Sequence, residues 1–310
     1  MIDSTITAVC VSLIEVDGVR KNSMRCFGII SDIHGETKKA RKAYRKLKKF
    51  VDYFLVPGDL GDEYGEIVKV LSVFSQSKCP VYVMPGSHEP RRDWNRAIRQ
   101  FQGSAIVDCH RSRRISFDEI DVLFVPGSDW CAHTGQFRLR PDKRFKVAKD
   151  EQGVFVTAAT RLVRDRPTLL VSHVPPRFYK KGAIDRAQFG MATQDFIYVD
   201  QEGLRVIPKG AVFPKETASL LKRDGSPVKM LERNVGSKAL RKLIRSQAIA
   251  FSVCGHIHEA GGKAVTLSGK RIRANTWHKR LYYNPGAVAD GRAGVLVFRD
   301  GMMKYRNITV

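Results

Sequence analysis

The stretch Cys26-Phe27-Gly28-Ile29-Ile30-Ser31-Asp32-Ile33-His34-Gly35 sets an uncharged apolar run directly against an Asp-x-His pair. Cys26–Ile30 reads as a strand buried on both faces, as in the sheets of layered α/β folds. Four further apolar runs end the same way. Tyr53–Val56 leads into Pro57-Gly58-Asp59, and Val81–Met84 into Gly86-Ser87-His88-Glu89. Leu169–Val171 leads into Ser172-His173, and Ile249–Val253 into Cys254-Gly255-His256-Ile257-His258. Ligands of such sheets bind in the crevice outside the carboxyl ends of the strands. Residues spread from 32 to 258 are therefore expected to meet at one edge, and what meets there is two Asp and five His.

The ordered blocks resemble the calcineurin-like metallophosphoesterase superfamily, whose pattern runs D-x-H, G-D, G-N-H-[DE], H and G-H-x-H. All five are present in order, with one departure: Ser87 stands where the family has Asn. The resemblance implies a four-layer α/β/β/α sandwich spanning residues 1–310 as one domain. It also implies two divalent metal ions. Asp32, His34 and His258 would hold the first, Asp59 would bridge both, and His173 and His256 would hold the second. In the family the Asn amide oxygen at position 87 joins the second metal, which makes Ser87, with its shorter arm, a weaker ligand and a substrate-binding candidate. His88 would stand near the leaving oxygen as general acid or positive stabiliser.

The chemistry suits those residue types. Two cations roughly 3.5–4 Å apart clamp an in-line displacement at phosphorus and acidify water. Mixed imidazole and carboxylate ligands favour manganese, iron or zinc over calcium. In an extended turn alternate side chains point the same way, so Asp32 and His34 are expected to face one metal. His256 and His258 are likewise expected to share a face along a strand. A lone His beside an apolar run is ordinarily a core or surface residue; five of eight falling into these contexts in order is the signal. His110, His133 and His278 lack such a context and read as structural, with His133 a candidate for lining the pocket beside Asp129-Trp130.

Charge is the second large fact. Fifty-four Lys and Arg against 31 Asp and Glu give +23. Such a field attracts polyanions, so nucleic acid or a ribonucleoprotein is the expected partner. The densest run lies in a helix expected over Glu36–Phe50. Ala40, Ala43, Tyr44, Leu47 and Phe50 form its apolar stripe, and Lys38, Lys39, Arg41, Lys42, Arg45, Lys46, Lys48 and Lys49 its other face. No run of 18 apolar residues predicts a membrane span, and Met1-Ile2-Asp3-Ser4 lacks a signal-peptide layout. Six dispersed cysteines without a C-x-x-C pair fit a reducing, cytoplasmic setting. Oligomeric state is left open.

The remaining chain alternates as β-α-β units require: helices over Tyr64–Ser75 and Asp93–Phe101, strands over Ala105–Cys109, Arg114–Phe117 and Val122–Val125. Earlier, Ile6–Val16 reads as a strand before an Asp17-Gly18 turn. A helix is expected over Val154–Arg164, stopped by Pro167. Residues 177–233 read as a partly ordered insertion beside the active-site edge, with a hairpin of Phe196–Val199 and Leu204–Ile207. Ser237 is the expected N-cap of a last helix, and the tail from Val265 reads as all β.

Within the family the blocks leave the substrate open. Serine/threonine protein phosphatases continue G-D into V-D-R-G, and Gly58-Asp59-Leu60-Gly61-Asp62-Glu63 does not. A phosphodiesterase acting on nucleic acid or a nucleotide diester is the leading reading. The alternative is a catalytically weakened fold that binds RNA, DNA or a ribonucleoprotein.

Overall fold

The computed structural model describes residues 24–128, 145–146, 155–156, 163–200 and 203–310. The chain opens with β1 (Arg25–Ile29), α1 (Thr37–Leu47), β2 (Tyr53–Val56), α2 (Tyr64–Phe74), β3 (Val81–Val83), α3 (Arg91–Gln100) and β4 (Ile106–Asp108). These units lay β1 to β4 side by side and parallel. A second sheet begins with the antiparallel pair β5 (Arg114–Ser116) and β6 (Asp121–Val125). The two-residue strands β7 (Phe145–Lys146) and β8 (Phe155–Val156) pair with each other, and β9 (Thr168–Ser172) runs parallel to β6.

An inserted unit follows: β10 (Arg186–Ala192), β11 (Phe196–Asp200), β12 (Gly203–Ile207), β13 (Val212–Pro214), α4 (Lys215–Arg223) and β14 (Val228–Asn234). The chain closes with α5 (Lys238–Ser246), β15 (Phe251–Val253), β16 (Lys263–Val265), β17 (Arg271–Ile272), β18 (Leu281–Asn284), β19 (Arg292–Arg299) and β20 (Met302–Thr309). The first sheet has the order β20-β19-β1-β2-β3-β4 and the second β17-β16-β18-β15-β9-β6-β5.

Strand alternation between two apolar layers explains why Cys26–Ile30 carries no polar residue. Cys26 and Ile30 point to the helices, while Phe27 and Ile29 point to the other sheet. The same split holds for Phe54 and Val56 against Leu55. Ala40, Ala43 and Leu47 of α1 cover the first sheet, and Leu240, Leu243 and Ile244 of α5 cover the second. The four layers are therefore helix, sheet, sheet, helix. Ser237 caps α5, its hydroxyl accepting from the Leu240 amide at 3.3 Å.

Several expectations change. α1 ends at Leu47 rather than Phe50. Phe155–Val156, expected in a helix, is a strand whose backbone pairs with Phe145–Lys146; the rest of that span up to Leu162 lies outside the described residues. So do Ile6–Val16, the Asp17-Gly18 turn and His133. The insertion is more regular than expected: β13-β10-β14 form a sheet backed by α4 over Ala218, Leu221 and Val228. Its core is only Ala218, Leu221 and Val228, brought together from α4 and β14, too small and too dispersed along the chain for a periodicity count to show. Among the described residues no helix is long and apolar enough to cross a membrane.

The insertion is tied to the sandwich by one buried carboxylate. Asp185 accepts hydrogen bonds from the Phe178 amide (2.8 Å), Asn234 Nδ2 (2.7 Å) and the Gly236 amide (3.3 Å). Removing it leaves three buried donors unpaired, at roughly 1–3 kcal/mol for such groups. Asp185→Ala is expected to lower the urea midpoint by an amount equivalent to about 2 kcal/mol, with Asp185→Asn costing less.

Candidate metal centre

Asp32 and His34 follow β1, and the loop that carries them is laced to the loop after β2. The Ile33 and His34 amides donate to the Asp59 carbonyl at 2.7 and 3.0 Å, and the Gly35 amide to the Leu60 carbonyl at 2.8 Å. The turn is not extended. Asp32, His34 and Asp59 all hold left-handed backbone, at φ 53°, 48° and 56°, and His256 does so at 67°. Side chains at Asp32 and His34 thus converge through paired left-handed kinks, not through strand alternation. His256 and His258 share no strand either, since His258 opens a 3-10 turn, His258–Ala260. Non-glycine residues adopt such angles at a cost of about 1–3 kcal/mol each, and such strain clusters at functional sites.

The side chains form three overlapping donor groups: Asp32 with His34 and His258, His34 with Asp59 and His88, and Asp59 with His173 and His256. Within each, ligand atoms lie within 4.8 Å of one another. All seven expected Asp and His residues are brought together, and Asp59 belongs to two groups. Ser87 is fully buried among them. Its hydroxyl lies 2.9 Å from Asp59 Oδ2 and 3.1 Å from His173 Nε2.

The donors are held from behind. His173 Nδ1 meets the Pro57 carbonyl at 2.9 Å, which turns Nε2 toward the cluster. The His256 amide donates to Asp32 Oδ1 at 2.8 Å, and the Ser87 and His88 amides donate to Asp59 Oδ1 at 2.6 and 3.1 Å. Asp32 Oδ2 is buried with no hydrogen-bond partner. A buried carboxylate oxygen with no donor of its own, set among imidazoles, suits coordination to a divalent cation, and the donor set fits one on each side of Asp59.

Electrostatics among the cluster's own side chains set their protonation. Burial disfavours the Asp59 anion, but His173 beside it wins and holds the carboxyl well below its ordinary range. Burial likewise opposes a proton on His173, yet Asp59 pushes it up to about 9. His256 falls to about 3 through burial and the neighbouring His173. Burial also lowers His34 against the pull of Asp59 and Asp32. His88 is raised instead: burial lowers it, and Asp59 with Asp62 more than offset this.

Asp62 is a site residue that the sequence did not reveal. Its Oδ1 lies 2.5 Å from His88 Nδ1, and its only signal was a carboxylate three positions past Asp59. Asp290 Oδ2, 3.5 Å from His258 Nδ1, gave no signal at all. Glu89 is a brace: buried, it accepts from the Leu60 and Gly86 amides at 2.5 and 2.8 Å. His110 is buried away from the cluster, and His278 sits 2.7 Å from the Thr276 hydroxyl.

Such a cluster at the carboxyl ends of two facing sheets defines a metallohydrolase site. The chain belongs to the calcineurin-like phosphoesterase family, whose model matches residues 27–260 and so includes all seven Asp and His residues of the three donor groups. Its fold is similar to that of TT1561 of Thermus thermophilus, at 14% identity and a TM-score of 0.52 over 92% of this chain and 99% of that one. Weaker likeness extends to purple acid phosphatase PPD1 from yellow lupin (Lupinus luteus) seeds, at 12% identity and a TM-score of 0.47, over 92% of this chain and 52% of that one. Phosphopantetheinyl hydrolase from Mycobacterium tuberculosis gives 12% and 0.43, over 86% and 91%. No curated protein matches the chain in sequence.

A methyl group on Gly255 would lie 2.1 Å from both Asp32 Oδ2 and Ser31 Oγ. Gly255→Ala is therefore expected to push the Asp32 carboxylate off its position. Metal analysis after loading and desalting should find less metal in this variant than in wild type, with an unchanged far-ultraviolet spectrum.

Proposed function

We propose that the protein is a metal-dependent phosphodiesterase acting on nucleic acid or a nucleotide-type diester. The observation that carries the reading is the chain of three donor groups (Asp32, His34, His258; His34, Asp59, His88; Asp59, His173, His256) overlapping through His34 and Asp59, which supports two neighbouring cations with Asp59 between them. Asp32, His34 and His258 would hold one, and His173 and His256 the other. When bound, such a pair neutralises phosphoryl oxygens and supplies a nucleophile near neutral pH. The +23 charge supports a polyanionic diester over a small neutral substrate.

The chain's own residues do the rest. His88 Nε2 lies 3.9 Å from Asp59 Oδ2, at the cluster, while Nδ1 is tied to Asp62. That contact fixes the ring's orientation and keeps the proton on Nε2 available for a leaving oxygen. As water oxygen bonds to phosphorus and the ester P–O bond breaks, that proton passes to the departing alkoxide. Asp62 acts through His88 and is a positioning residue. Ser87, with its hydroxyl between Asp59 and His173, lines the place where substrate oxygen would enter.

Bis-p-nitrophenyl phosphate with manganese tests the proposal. Turnover should vanish with chelator and with Asp59→Asn, and should drop by about 10²–10⁴-fold in His88→Ala. Asp62→Asn removes an anion that raises the His88 pKa. The basic limb of the rate profile, where activity falls as His88 loses its proton, should therefore move to lower pH. No turnover with any divalent metal, or an unmoved limb, contradicts these roles.

One observation favours a second reading, a binding module with weakened chemistry. Ser87 offers a hydroxyl already engaged with Asp59 and His173, where the family pattern has an amide oxygen. Ser87→Asn discriminates: a rise in turnover or metal affinity marks a tuned enzyme, whereas tight RNA binding without turnover in either form marks the module.

A further inference from the structure

The basic face of α1 does not simply meet solvent. Lys39 donates to the Ala289 carbonyl at 2.5 Å, and Lys48 lies over the Tyr44 ring at 5.7 Å. The other six cations, Lys38, Arg41, Lys42, Arg45, Lys46 and Lys49, line one wall of a groove of about 1080 Å³. The opposite wall is the outer strand of the first sheet, β20, which contributes Arg306 and Lys304, the latter also lying over the Trp277 ring at 4.6 Å. Between the walls the floor is apolar: Leu47, Phe50, Val295, Val297 and Ile308. Among the described residues no Asp or Glu lines it, and none of these eight cations is paired with a carboxylate. Lys46 spans the walls, donating to the Thr309 carbonyl at 2.8 Å. The groove begins at Thr37, three residues beyond His34 of the metal cluster.

We infer that this groove binds single-stranded nucleic acid and leads it toward the metal cluster. The inference deepens the phosphodiesterase reading and rests on it for the word substrate, but not for binding. Charge complementarity selects the class of ligand. Eight cations on two facing walls, with no carboxylate among the described lining residues, match a ligand with negative charge repeated along its length. On α1 they recur at least once per turn of about 5.4 Å. An anionic lipid carries its charge at one end, so it would leave most of both walls unpaired. A duplex hides the flat apolar faces of its bases, which the half-buried Phe50 and Ile308 of the floor could otherwise cover. A single strand exposes both, with phosphates for the rims and bases for the floor. Only the α1 wall was visible in sequence, because the β20 wall comes from the far end of the chain.

The test uses the full chain, stripped of metal so that no cleavage runs, and a fluorescein-labelled single-stranded RNA ten-mer read by anisotropy across salt concentrations. Lys42→Glu with Arg45→Glu on one wall, and Arg306→Glu alone on the other, should each weaken binding by roughly tenfold or more. Each should also flatten the dependence of log affinity on log salt, by about 0.7 for every phosphate no longer neutralised. Lys242→Glu with Arg245→Glu on α5, another basic patch on the opposite helix layer, should change neither, and melting curves check that every variant is folded. Weakening by the α1 pair but not by Arg306→Glu would reduce the groove to a helix face and overturn the inference. So would equal binding of a duplex of the same length, or competition by anionic phosphatidylserine vesicles as strong as by RNA. A photo-cross-linker on Lys42→Cys that captures another segment or copy of this chain in place of the oligonucleotide would overturn it too. If the wild type binds RNA through the groove yet never turns over a small diester, the groove stands and the phosphodiesterase reading fails.

Discussion

Everything at the site depends on one buried carboxylate. Asp59 accepts the Ser87 and His88 amides on its side chain, pairs with His173 Nε2 at 3.1 Å, and takes the Ile33 and His34 amides on its carbonyl. Loops from both sheets are thereby fixed to one residue. A buried anion is costly unless it is paired and hydrogen-bonded. Here His173 and the amides stabilise it without cations, and the neighbouring donors let cations take over that role. The same residue that assembles the edge is, with His34, one of two residues shared between donor groups, so fold and chemistry converge on it.

That convergence accounts for the strain around it. Four site residues hold left-handed backbone, which ordinary side chains avoid. Each is over-determined: the amides of residues 32 to 35 all donate to the chain between Gly58 and Leu60, and the His256 amide is held by Asp32. Buried strand layers behind these loops supply the rigidity that keeps such angles in place. The result aims imidazoles and carboxylates at one another without any ligand to gather them.

Much of this was legible in the sequence because it depends on local order. Apolar runs ending in Asp and His report strands that stop at one edge, and strand alternation sorts Phe27 and Ile29 from Cys26 and Ile30 without ambiguity. What was not legible needs either backbone detail or long-range packing. The convergence of Asp32 and His34 comes from kinks that no alternation rule contains. Asp62 looked like a loop carboxylate until His88 was beside it, and Asp290 reaches His258 only because β18 and β15 are neighbours. The inserted unit was underestimated because its buried core is three residues that come together only when α4 packs on β14. The second wall of the α1 groove lies at the other end of the chain.

Family membership explains the cluster, while Ser87 and the strongly basic surface belong to this chain. The central claim is that Asp59 sits between two cations. Anomalous scattering from crystals soaked in manganese tests it most directly. Two peaks are predicted, one among Asp32, His34 and His258 and one among His173 and His256, with Asp59 touching both. A single peak remote from Asp59, or none at saturating manganese, would contradict it.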